Sequence, residues 1–195
     1  MTRVAPPDGL PVLAFVDATA WEAWLVAHAD GKGLWLKIAK QGGTAASVTY
    51  AQALDVALCH GWIDGQKRGC DDAWFLQRFT PRRPRSLWSA RNVAHVSRLQ
   101  AAGRIREAGQ REIDAARADG RWDAAYAGAS TMTPPPELIA ALAATPGARA
   151  AFDGLDRTHR YAVCFRVATL KTAAGRERRA QALAALLAGG GRLHG

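Results

Sequence analysis

The residues best suited to chemistry are cations and hydroxyls gathered around one tryptophan: Arg78, Thr80, Arg82, Ser86, Trp88, Ser89 and Asn92, with Arg83 and Arg85 among them. Arginine's planar fork suits phosphate or carboxylate. Ser86 stands where it can cap a helix running from about Leu87 to Ala102. The amino end of that helix would offer free backbone N–H groups and about half a unit of positive charge. Arg78 and Thr80 fall on the strand expected before it, Trp88 would form an aromatic wall, and Asn92 would add a directional amide one turn on. Lys37 and Trp62 complete the expected ligand-binding set. Arg91, His95 and Arg98 follow i, i+4, i+7 and would form a basic stripe along the helix. A plainer reading competes: Ser86 only caps, Trp88 packs in a core, and Arg78 and Arg82 pair with Asp64, Asp71 or Asp72. Charge runs are commonly solvated faces.

Gly61-Trp62-Ile63-Asp64-Gly65 is the second candidate. Asp64 can orient Arg78 or Arg82, or serve as a general base, and it is the one weak catalytic candidate. Glycines in strands often mark bulges, which favours a structural reading with Trp62 buried. Cys59-His60 has the residue types of a nucleophile and a base, yet neighbouring side chains point apart. A helix carboxyl end would also raise the thiol's pKa rather than lower it. The five histidines and three cysteines show no ligand spacing, so neither a metal nor a cofactor is expected.

These residues need elements to hold them. Val12–Val16 reads as a strand, and Asp17 or Thr19 can cap a helix carrying Trp21, Trp24 and Leu25 on one stripe. Gly33–Ala39 alternates Leu34, Leu36 and Ile38 against Trp35, Lys37 and Ala39, a strand period. Thr49 is a good cap for a helix over Tyr50–Cys59. Trp62–Lys67 and Trp74–Thr80 read as a hairpin around Arg68–Asp72. Helical patterns follow at Glu107–Ala118, Glu137–Ala144, Ala148–Phe152, Thr158–Leu170 and Arg176–Leu187, with Thr133-Pro134-Pro135-Pro136 as the best linker. The expectation is an α+β fold: a small antiparallel sheet with packed helices over residues 1–103, then a helical region over 104–195 packing on it, with a linker near 127–136.

The chain has 195 residues and a net charge of +9, concentrated in two blocks. Lys67–Arg111 carries net +8 and Arg157–Arg192 net +7, against −6 for the remainder. Each block would make a face that attracts anions. An apolar content of 49% argues against disorder, and no apolar run approaches the roughly 20 residues of a membrane helix. The first residues lack a signal-peptide pattern, and an odd cysteine count suits a reducing compartment, so a cytoplasmic location is expected. Cys164, in an apolar stretch, reads as a small core residue.

The stretch Ala57–Gln66 with its GWIDG core, followed by Arg78-Phe79-Thr80-Pro81-Arg82 and Ser86-Leu87-Trp88-Ser89-Ala90-Arg91-Asn92, resembles the YdeI/OmpD-associated family, also called bacteriocin-protection proteins. Trp35-Leu36-Lys37, Asp119–Tyr126 and the tail with Pro134–Ala144, His159-Arg160-Tyr161, Arg176 and Arg179 support it, so the resemblance runs from about residue 11 to 188. It implies protection against antimicrobial peptides or envelope stress, and for some bearers of the name association with a porin. It implies no defined reaction, and relatives more often carry an aromatic residue where His60 stands. The resulting expectation is a non-enzymatic protein holding an anionic small molecule or a phosphate group in a basic pocket. An enzyme acting on an anionic substrate through Asp64 is the first alternative. A nucleic-acid binder using the basic blocks with Trp74, Phe75, Phe79 and Trp88 is the second.

Overall fold

The computed structural model describes residues 8–42 and 45–191. They form two compact units, one from residues 8–86 and 92–123 and the other from 87–91 and 124–191.

The first unit holds β1 (Val12–Ala14), α1 (Ala18–Ala27), β2 (Leu34–Ala39), α2 (Tyr50–Cys59), β3 (Trp62–Gly69), β4 (Trp74–Pro81) and α4 (Glu107–Ala118), with most of α3 (Ala90–Ala101). The α+β class holds. The sheet, in the order β1-β2-β4-β3, is mixed rather than wholly antiparallel. β4 runs antiparallel to both neighbours, whereas β1 is parallel to β2. The reason is α1, which spans the connection between them and returns the chain to the end where β1 began.

Strand alternation sorts the side chains. Leu34, Leu36, Ile38 and Phe79 point to a buried face with Trp21 and Leu25 of α1 and Leu54 and Ala57 of α2. Trp21 is its centre: its ring meets Phe79 at 5.7 Å and Trp62 edge-on at 6.3 Å, and its indole N–H donates to the Ala53 carbonyl at 3.1 Å. Asp17 caps α1 by accepting the Ala20 N–H, and Thr49 and Gln52 close a capping box on α2. The expected alternation breaks at Trp35, which lies on the opposite face yet is only 1% exposed.

β3 contains a bulge. Asp64 pairs with Phe79 and Lys67 with Gln77, so three steps on β3 match two on β4. The buried amide of Gln77 donates to the carbonyls of Gly65 at 2.9 Å and Gln66 at 3.2 Å, satisfying acceptors the bulge frees. Beyond it the side-chain phase inverts.

The helix expected from Leu87 starts at Ala90, and Ser86 is not its cap. The intervening backbone is already engaged: Tyr126 N–H donates to the Trp88 carbonyl at 2.9 Å, and Ala90 N–H donates to the Tyr126 carbonyl at 2.8 Å. Ser89 and Tyr126 make a parallel bridge, and residues so paired cannot enter a helical turn.

The second unit contains α5 (Pro136–Ala144), α6 (Ala148–Asp153), α7 (Arg157–Ala168) and α8 (Ala173–Ala188). Leu138, Leu142, Phe152, Val163, Cys164, Val167, Leu183 and Leu187 meet in its core. Thr172 caps α8, which starts three residues before the expected Arg176. Glu137 and Arg176 tie α5 to α8 at 2.6 Å. Among the described residues no helix is long and apolar enough to cross a membrane.

Gly109 lets α4 lie against the carboxyl end of α2: a Cβ there would collide with the Cys59 carbonyl and crowd that of Leu58 at 2.9 Å. Backbone cannot yield as a side-chain tip can. Gly109→Ala should therefore lower unfolding free energy by about 2–3 kcal/mol, read as a shift in urea midpoint at unchanged slope.

Candidate functional site

β4 delivers Arg78 and Thr80 to the face that also carries Trp35, Lys37 and Trp74. Arg78 Nε donates to Asp8 Oδ2 at 2.9 Å, and Trp35 Nε1 donates to Asp8 Oδ1 at 2.9 Å. The indole hydrogen bond, with help from Arg78, holds the Asp8 carboxyl below the usual range. Arg78 is thus met by a carboxylate distant in sequence and not by Asp64, Asp71 or Asp72. Lys37 lies 4.8 Å above the Trp74 ring and 3.8 Å from Asp71. Thr80 pairs with Ile63 across the hairpin. Trp62 belongs to the opposite, tryptophan-rich face.

Arg82 and Ser86 do come together, with Arg82 Nη1 donating to Ser86 Oγ at 3.1 Å. The Ser86 carbonyl in turn accepts Arg121 Nη1 at 2.8 Å, and Arg121 Nε reaches both oxygens of Asp119 at 2.7–2.8 Å. Arg82 and Arg121 are each only 6% exposed, so this cluster is built into the unit's interior. Arg121 was not among the expected site residues; its signal, Asp119-Gly-Arg121, is short and local. Asn92 is buried on α3, while Trp88 is buried and Ser89 bridged to Tyr126 within the second unit. Asp64 Oδ2 accepts the Tyr50 hydroxyl at 2.6 Å.

Two carboxylates of the helices collect other cations. Asp55 on α2 accepts both Arg98 Nη2 (2.6 and 2.7 Å) and His95 Nδ1 (2.8 Å), so two members of the expected basic stripe share one acid. Burial works to raise the Asp55 carboxyl, and Arg98 and His95 outweigh it, leaving it below its ordinary value. Glu22 on α1 binds Arg106 at 2.9 Å and His60 at 3.2 Å, and the Arg106 hydrogen bond leads in holding it low. His60 therefore serves Glu22, while burial pushes the Cys59 thiol up.

Elsewhere, three cations without an ion pair among the described residues share one lining. Lys40, Gln41, Lys67, Arg68, Gly69 and Phe75 line a recess of about 590 Å³ where β2 ends beside the β3–β4 hairpin. The lining contains no carboxylate, and among the described residues Lys40, Lys67 and Arg68 form no ion pair. Lys67 Nζ lies 4.3 Å above the Phe75 ring, and the Arg68 guanidinium 5.6 Å from that of Trp35. A hollow of about 490 Å³ shares Lys40, Gln41 and Phe75 and reaches Tyr50. The nearby Asp71 is occupied: burial tends to raise it, but the N–H groups of Ala73 and Trp74 hold it low. The only sequence signal for this recess was the pair Lys67-Arg68, which strand alternation sends to opposite faces. Among the described residues no His, Cys, Asp and Glu cluster is arranged to hold a metal.

Residues 13–112 match a family model described as "Domain of unknown function (DUF8412)". Residues 131–190 match one described as "Bacteriocin-protection, YdeI or OmpD-Associated". The GWIDG segment and the Arg78–Asn92 segment fall within the first match, the Pro134–Ala144 and His159–Tyr161 segments within the second. No curated protein and no solved structure matches the chain.

The lowered carboxyls of Asp55, Glu22 and Asp8 contribute stability above the unfolded-state carboxylate range, near pH 4, and lose it as pH falls through their folded values. The urea midpoint should drop steeply below about pH 4. Asp55→Asn should cost about 2 kcal/mol at neutral pH and flatten that acid limb.

Proposed function

The chain belongs to the DUF8412 family through residues 13–112, just over half its length, and carries a YdeI/OmpD-associated domain over residues 131–190; on that footing we propose that it is a binding protein for a small anionic molecule, a phosphate-bearing one in the first instance. The observation that carries the reading is the recess whose lining holds Lys40, Lys67 and Arg68 and no carboxylate. Elsewhere in the first unit, Arg78, Arg98, Arg106 and Arg121 have protein carboxylates to answer them. Here the field is left for a ligand.

The recess suits a phosphate group, for which Arg68 offers a fork and Lys40 and Lys67 mobile ammonium charges. A nucleic-acid strand fits less well, because the rings that would stack bases are under cations: Phe75 beneath Lys67, Trp74 beneath Lys37 and Trp35 beneath Arg68. The ligand-binding role of Arg78, Arg82 and Ser86 that the sequence pointed to becomes, in this reading, a supporting one. The protein would work in the cytoplasm, and the protective role in the description of residues 131–190 would follow from holding the ligand.

Phenyl phosphate should raise the melting temperature of the full chain and bind saturably by calorimetry. Replacing both Lys67→Glu and Arg68→Glu should weaken binding at least tenfold, about 1.4 kcal/mol, with the circular dichroism spectrum unchanged. Unaltered affinity in that variant would remove the recess from the proposal. A twelve-nucleotide single strand that outcompetes phenyl phosphate, with affinity falling steeply in salt, would replace the small-molecule reading with a nucleic-acid one.

A further inference from the structure

The second unit contains a hollow of about 290 Å³ bounded by α6, α7 and the 129–134 segment that leads into α5. Its polarity is graded. Phe152 and Cys164 belong to the unit's core, Met132 packs against that core, and together they make an apolar floor. Tyr161 stands on the wall, and Arg157 and Arg160 stand at the mouth.

The gradient is written into one helix face. Arg157, Arg160, Tyr161 and Cys164 follow i, i+3, i+4, i+7 along α7, so guanidinium, phenol and thiol succeed one another from the exposed start of the helix inward. Burial pushes both the Tyr161 hydroxyl and the Cys164 thiol up, so each stays neutral, the first as a donor and the second as part of the floor.

The acids at the hollow are committed. Asp153, which lines it together with Arg149, pairs with that arginine at 2.8 Å one turn along α6. Asp156 caps α7 through the His159 N–H at 2.9 Å and holds the His159 ring at 2.7 Å. Arg157 Nε donates to the Ala129 carbonyl at 3.4 Å, which sets its guanidinium between α7 and the 129–134 segment. Among the described residues neither Arg157 nor Arg160 has a carboxylate partner. Two positive forks without a carboxylate partner thus stand in a hollow whose floor is apolar.

We propose that this hollow is a binding site for a small amphipathic carboxylate, whose head lies between Arg157, Arg160 and the Tyr161 hydroxyl and whose apolar part rests on Met132, Phe152 and Cys164. The volume limits the apolar part to a short chain or one side chain. Two sources share this chemistry: a free short-chain acid, and the terminal carboxylate of a peptide ending in an apolar residue. The site is independent of the sheet recess and survives if that reading fails.

The test is calorimetry on the full chain with hexanoate, hexanol, inorganic phosphate, and acetyl-alanyl-leucine as its free acid and as its amide. Hexanoate or the free-acid peptide should bind at least tenfold more tightly than hexanol, phosphate or the peptide amide. The tighter of the two identifies the source. Arg157→Gln and Arg160→Gln, both at exposed positions, should each weaken that binding about tenfold with the melting temperature of the free protein unchanged, whereas Lys67→Glu/Arg68→Glu should leave it intact. The proposal is overturned if neither acid binds, if the amide or hexanol binds as well as its acid, if phosphate equals hexanoate, or if both arginine variants bind like the parent.

Discussion

A single surplus residue in β3 governs the surface of the first unit. Between Asp64 and Lys67 the strand takes three steps while its partner takes two, and Gln77, nearly fully buried, spends its amide hydrogens on the freed carbonyls of Gly65 and Gln66. That amide ties the bulge to β4 through two hydrogen bonds from a buried side chain. With it, the phase of β3 inverts, so that Lys67 crosses to the Phe75 side and Arg68 to the Trp35 side. Lys67 and Arg68 of the recess stand where they do because of this slip.

Carboxylates decide which of the other cations are available. Asp8, Asp55, Glu22 and Asp119 each gather one or two basic side chains, and each comes from a segment distant from, or turned back upon, the cations it binds. The pairs at Asp55 and Glu22 also join elements: α2 to α3 in the first case, α1 to the segments following α2 and α3 in the second. They set the relative positions of helices whose contact α4 makes close through Gly109. The number of basic side chains is therefore a poor guide to binding, since several of them are paired with carboxylates.

The second unit solves a smaller problem with fewer parts. Four helices close over a core rich in alanine and leucine, and α5 and α8 are pinned by Glu137 and Arg176. Small residues such as Ala141, Ala180 and Ala184 fill it, and larger ones such as Phe152 reach its margin. α7 presents its buried side to that core and its arginine-bearing edge to solvent, which grades the hollow beside it from apolar to cationic.

Local order was legible in the residues themselves. Asp17, Thr49 and the alternation of Leu34, Leu36 and Ile38 mark their elements because capping and strand period act over three or four positions. The α+β class and the family resemblance rest on the same short-range information. Long-range pairing was not legible: Asp8 meeting Arg78, Asp55 meeting Arg98, Tyr126 taking the backbone where Ser86 was expected to start a helix, and the parallel β1. Residue types and spacing alone determined which segments are helix or strand and which side chains carry charge. Only the tertiary structure decided how the charges at Asp8, Asp55 and Glu22 are answered, because their partners are chosen by the packing of segments tens of residues apart.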